Sequence, residues 1–199
     1  MPLSRWRKIV DTANGLEPDL VLLLGDYAAG HRFVTRQVEV ADTARVCAGL
    51  TAPLGRYAIM GNHDWWDDLT AQRERKSPIL GERAFTDAGI PVLENSAVRL
   101  EKNGSPFWIS GTSSIVALKP GRPGVYDSQA NLAATLEQVT DDAPVIHLAH
   151  EPDLFPDIPR QVSLTLSGHT HGGQVRLLGY SPIVPSSYGN RFAYGHIVE

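Results

Sequence analysis

Residues 57–64, Tyr57-Ala58-Ile59-Met60-Gly61-Asn62-His63-Asp64, run from four apolar side chains straight into four residues that cannot build a core. They read as a strand that delivers a polar cluster to its own C-terminal tip. Glycine lets the backbone turn sharply and come close to a ligand. Asparagine brings a neutral oxygen, histidine an imidazole for metal or proton work, and aspartate a carboxylate that can fix that imidazole's tautomer. An Asn/Asp-rich turn after a strand is built from the same letters, so the tetrad takes its meaning from its surroundings.

Upstream, Ser4 can cap a helix carrying Trp6, Ile9, Val10 and Ala13 at helical spacing, with Asn14-Gly15 as its stop. Leu20-Val21-Leu22-Leu23-Leu24 is an unbroken apolar run, as expected of a strand covered on both faces, and it ends in Gly25-Asp26. A helix over Val38 to Leu50 and the turn Pro53-Leu54-Gly55 lead into the tetrad strand. Helix–strand–helix–strand alternation predicts α/β layers.

Downstream, a charged patch from Arg73 to Lys76 precedes a predicted helix from Pro78 to Ala88. Three β-rich pieces, Ile90–Leu93, Ala97–Leu100 and Phe107–Ser110, predict a small antiparallel set and hence a second sheet. Ser128 to Val139 reads as a further amphipathic helix. Two more strands then end in polar clusters. Val145–Ala149 runs into His150-Glu151, and Val162–Leu166 runs into Ser167-Gly168-His169-Thr170-His171-Gly172-Gly173-Gln174.

Strand C-terminal ends in open α/β sheets face a shared crevice where ligands bind. Four tips therefore converge there: Asp26, Asn62 with His63, His150, and His169 with His171. Such oxygen and imidazole donors suit manganese, iron or zinc, and exclude copper(I) and iron–sulfur chemistry.

Composition limits what this cluster can serve. The chain has 199 residues, 42% hydrophobic and 20% charged, which predicts one domain over residues 1–199. A formal charge of −4 gives no general basic field, so nucleic acid is not an expected partner, and an anionic substrate needs local positive charge such as metal ions. The single cysteine, Cys47, can make no internal disulfide. No apolar stretch reaches the ~18 residues of a membrane span, and the N-terminus lacks a signal peptide's apolar segment. A cytoplasmic protein is expected on these grounds, unless a segment upstream of Met1 carried a signal or anchor.

In order, Gly25-Asp26, Gly61-Asn62-His63-Asp64, His150 and Gly168-His169-Thr170-His171 resemble four of the five blocks of the calcineurin-like metallophosphoesterase superfamily. The run Gly-His-Thr-His-Gly-Gly-Gln resembles its bacterial branch of phosphodiesterases and lipid-A-pathway pyrophosphatases. The resemblance implies a two-sheet α/β/β/α sandwich with two metals at the sheet ends. It implies Asp26 as the bridging ligand, Asn62, His150 and His169 on one metal, His171 on the other, His63 as the acid beside the substrate, and Asp64 orienting it. The family's first block, Asp-x-His, has no counterpart here. The expectation is thus a chain trimmed at both ends, one well-formed metal site and one incomplete site, and an exposed strand edge at Leu20–Leu24 prone to self-association.

The chemistry expected from the resemblance is hydrolysis of a small or lipid-like phosphoester, with a diester the favoured substrate, by metal-activated water. No Gly-x-Ser-x-Gly elbow competes with it. Metal-dependent hydrolysis of carboxylic esters and a catalytically impaired binding domain are the alternatives. Trp66 and His31 are the substrate-contact candidates, Trp66 as an aromatic wall and His31 from the loop after Asp26. His147, inside an apolar strand, is expected in the core.

Overall fold

The structure is a computed structural model that describes residues 1–28, 37–120, 125–173 and 175–198. Helix α1 (Leu3–Gly15) leads to strand β1 (Val21–Leu23), helix α2 (Val40–Cys47) and strand β2 (Arg56–Ala58). The two strands pair in parallel with Leu22 opposite Tyr57. Three helices follow, α3 (Asn62–Asp67), α4 (Leu69–Glu74) and α5 (Leu80–Asp87). A second sheet then has the order β3-β4-β5-β6, from β3 (Ser96–Lys102), β4 (Ser105–Gly111), β5 (Val145–Leu148) and β6 (Val162–Leu166). Its β3/β4 pair is antiparallel and the other pairs are parallel. Helix α6 (Leu132–Leu136) sits against β3 and β4.

The strands' period-2 alternation makes this a layered sandwich. Leu23, Ala58 and Met60 face the helices with Tyr27, Cys47, Trp65, Phe85 and Ile90. The intervening Leu22, Leu24, Tyr57 and Ile59 face the second sheet, meeting Ile109, Ile146, Leu148 and Leu166. Ile59, Ile109 and Leu148 are completely buried, each contributing about 1.5–3 kcal/mol of burial free energy. The expected α/β two-sheet architecture is the one observed.

Three local expectations differ. Helix α1 starts after Pro2 with no side-chain cap, so Ser4 lies inside it. Helix α6 is shorter than residues 128–139 because Asn131 accepts from the Ala134 amide and starts the helix there. Residues 90–93 do not join the antiparallel set. They lie alongside β2 in parallel, through an Ala58–Val92 bridge and the bonds Ala58 N–H to Pro91 O (3.0 Å) and Leu93 N–H to Ala58 O (2.7 Å). Among the described residues, β2 is the only strand paired with β1, and no helix is long and apolar enough to cross a membrane.

Candidate metal centre

Parallel pairing brings the C-terminal ends of β1, β2, β5 and β6 to one crevice. Asp26, just past β1, has a positive φ of 60°, a strained conformation for a residue with a side chain. Gly25 before it has φ 96°, and Gly61 approaches so closely that a Cβ there would lie 2.3 Å from Asp26 Oδ1 and 2.6 Å from the His150 ring. Gly61 has φ −97° and ψ 178°. That conformation is open to any residue, so what the position needs is the lack of a side chain.

The loop is held by Asp64. Its buried carboxylate accepts from the amides of Asp26 (2.8 Å), Tyr27 (2.8 Å), Ala28 (2.9 Å) and Gly61 (2.9 Å). Burial, and then the negative charge of Asp26, push its pKa up to about 6 against the pull of those amides. Among the described residues, no hydrogen bond joins it to the His63 ring. Both Asp64 oxygens accept from backbone N–H groups, so the contacts this side chain makes are to the loop backbone. Asp26 Oδ1 accepts from the His63 amide (3.0 Å), which ties the tip of β1 to the first turn of α3.

Across the crevice, the His150 Nδ1–H donates to Leu24 O (2.5 Å), which fixes the ring's orientation and turns Nε2 toward Asp26. That Nε2 is buried and 3.1 Å from Asp26 Oδ2, an ion pair when the ring is protonated. Burial alone would lower the His150 pKa, but the bond to Asp26 and its charge raise it to about 9. Desolvation alone would raise the Asp26 pKa, and His150 and His63 reverse that to a net lowering. The His169 Nδ1–H donates to Asn62 Oδ1 (2.8 Å), and burial followed by the charge of His150 pushes its pKa down to about 4.

Donor atoms of Asp26, His150 and His169 lie within 4.8 Å of one another, and Asn62 is joined to the group through His169. The set of two nitrogens and two oxygens, with the buried His150 Nε2 turned to the Asp26 carboxylate, fits a divalent ion of borderline softness. His171 is exposed and stands outside this group, on a one-turn 3₁₀ segment at φ 52°. His63 is half-buried, its ring 5.2 Å edge-on from Trp66. Trp65 is completely buried, whereas Trp66 is half-exposed and stacks on Tyr126 at 5.3 Å. His147 is buried and hydrogen-bonded to Ser110 (2.8 Å), the core environment expected of it. His31 falls outside the described residues.

Sequence reasoning passed over Glu151 and Asp68. The carboxylate of Glu151, next to His150, accepts from the Ser114 hydroxyl (2.5 Å) and the Ile115 amide (3.0 Å). Asp68 accepts from Thr70, Ala71 and Leu80 amides and so joins the starts of α4 and α5. An aspartate just ahead of a helical run was the available signal for Asp68. Nothing local distinguishes Glu151.

A profile of the calcineurin-like phosphoesterase family matches residues 2–173. The chain is 31% identical over 197 residues to an uncharacterised metallophosphoesterase of Bacillus subtilis, YkuE, covering 97% of this chain and 61% of that protein. It is 30% identical over 207 residues to the Escherichia coli phosphodiesterase YaeI, covering 99% of this chain and 67% of that one. The solved structure of the Haemophilus influenzae NAD nucleotidase superposes with a TM-score of 0.57 at 19% identity, over 83% of this chain and 32% of that chain. This chain thus spans about three fifths of the Bacillus relative and a third of the Haemophilus enzyme.

Proposed function

The chain belongs to the calcineurin-like phosphoesterase family, and from that premise we propose that it is a metal-dependent hydrolase of phosphoester bonds acting on phosphodiesters of small or lipid-like molecules. The observation that carries this reading is the buried Nε2 of His150, 3.1 Å from Asp26 Oδ2 and grouped with His169 at four converging strand tips. Asp26, Asn62, His150 and His169 would hold a divalent ion, with manganese, iron and zinc all compatible with the donors. Such an ion, when bound, supplies positive charge to the phosphoryl oxygens and lowers the pKa of water.

The chain's own residues do the rest. Asp64 keeps Asp26 and Gly61 in register by holding both backbones. The Leu24 carbonyl keeps the His150 Nε2 turned toward Asp26. His63 is fixed by its amide to Asp26 and leaves its half-exposed ring to donate a proton to the departing alcohol oxygen, a general-acid step typically contributing about 10²–10⁴-fold. Trp66 beside it walls off water. His171 provides a ligand on the open side, for a second and weaker ion. That the E. coli relative is called a phosphodiesterase agrees with this reading.

The test is turnover of a chromogenic phosphodiester, phosphomonoester and carboxylic ester before and after chelation. Diester hydrolysis should be fastest, should vanish with chelator and should return with manganese. Turnover untouched by chelation, or carboxylic-ester hydrolysis alone, would overturn the proposal.

A further inference from the structure

The chain reverses at Leu177–Tyr180. The Leu177 N–H donates to Tyr180 O (2.8 Å) and the Tyr180 N–H to Leu177 O (2.9 Å), which closes a two-residue hairpin with Leu178 and Gly179 at its tip. Both tip residues have positive φ, 50° and 89°. Such turns favour Asn-Gly, because most side chains are strained at the first tip position. Leucine breaks that rule and gains nothing inside the fold in return, since Leu178 is fully exposed. In the same stretch Val175, Leu177, Tyr180 and Ile183 are 64%, 69%, 62% and 82% exposed. A strained backbone that holds an apolar side chain out in water points to a contact beyond the chain itself.

Charge indicates what that contact is. The protein carries a formal −4, yet no Asp or Glu occurs among residues 158–198, which contain Arg160, Arg176 and Arg191. The Arg176 guanidinium lies 4.4 Å over the Tyr194 ring and donates to Gly179 O (3.0 Å), which places it at the hairpin. That of Arg191 lies over the rings of Tyr188 (5.7 Å) and Phe192 (4.9 Å). Asp153, which approaches from outside this segment, accepts from the Ser187 amide (2.6 Å). The segment thus combines the side chains of a membrane–water interface: apolar groups for the acyl boundary, aromatic rings for the headgroup level and cations for anionic lipid. A second copy is a poorer occupant, because a symmetric contact would bring two basic patches together.

We propose that the Leu177–Tyr180 hairpin docks the protein on an anionic lipid surface, with Leu178 entering the headgroup–acyl boundary and Arg176 meeting lipid phosphates. Binding is peripheral, through this one hairpin. The hairpin also stands near the metal crevice, since the Tyr194 ring under Arg176 comes within 3.8 Å of a Cβ placed on Gly172, next to His171. Docking therefore brings the His171 side of the crevice close to the surface from which a lipid-like substrate would come. Docking itself does not depend on phosphoester chemistry.

Vesicle co-sedimentation of the wild-type chain tests this, with phosphatidylcholine alone and with an equal mixture of phosphatidylcholine and phosphatidylglycerol. The chain should bind the mixed vesicles about tenfold or more tightly than the neutral ones, and added salt should weaken that binding. Leu178→Asp should weaken it about tenfold or more, and Arg176→Gln about fivefold. Leu178→Asn, which installs the residue this turn favours, should also bind more weakly while its thermal midpoint equals or exceeds that of the wild type. Leu16→Asp, at an exposed position after helix α1, should change nothing. Absence of vesicle binding, equal binding to both vesicle types, or binding indifferent to Leu178→Asp and Leu178→Asn would overturn the proposal. So would a dimer in sedimentation velocity that Leu178→Asp dissolves, since a second copy would then cover the hairpin.

Discussion

The β1–β2 side of the crevice and the β5–β6 side carry similar donors on differently built supports. On the first side, one buried carboxylate, Asp64, holds four backbone amides, and Asp26 caps the same loop by accepting from His63. On the second, His150 is fixed through a bond to Leu24 on the other sheet and His169 through a bond to Asn62, while His171 stands exposed one turn further on. Donors that share contacts across the sandwich are pre-organised for one ion. His171 has the right chemistry without belonging to that group, so the two halves should respond differently to damage.

The largest difference is expected at Asp26. Asp26→Ala removes the carboxylate that faces both His150 Nε2 and the His63 amide, and kcat/KM should fall by about a thousandfold or more, because several kcal/mol of metal charge stabilisation goes with it. Metal retained after dialysis should fall with it. His171→Ala should cost only about 10–100-fold in activity and leave the tightly held ion in place. Equal metal loss in the two variants would erase the distinction.

Stability should separate the halves next. Asp64→Ala strips a charged acceptor from four amides, and about 3 kcal/mol or more should disappear from the urea unfolding free energy. For the exposed His171, the same substitution should stay within about 0.5 kcal/mol. An Asp64→Ala protein as stable as the wild type would mean that the loop is held by something else.

A smaller contrast concerns His63, a residue of the pinned side proposed as the acid and not as a ligand. His63→Ala should slow a diester with a poor leaving group up to about a hundredfold more than one with a good leaving group, with metal content unchanged. Equal slowing of both substrates would argue that His63 is not the acid.

How much of this the sequence carried depends on the range of each interaction. The four strand tips were legible because an apolar run followed by a polar cluster is a local pattern, as at Met60-Gly61 and Leu148–His150. The layering was legible for the same reason. The hold of Asp64 on the loop was not legible, because three of its four partners lie 36–38 residues away and all four are backbone amides, which no residue pattern marks. Residues 90–93 went to the wrong sheet because period-2 apolarity announces a strand without naming its neighbour.

Metal stoichiometry tests the central claim most directly. The chelator-stripped protein would be titrated with manganese or zinc, and elemental analysis after dialysis would count what stays. One tightly held ion per chain, lost in Asn62→Ala and His150→Ala and kept in His171→Ala, is the result the Asp26–Asn62–His150–His169 centre predicts. Two ions held with equal tightness, or one that survives His150→Ala, would contradict it.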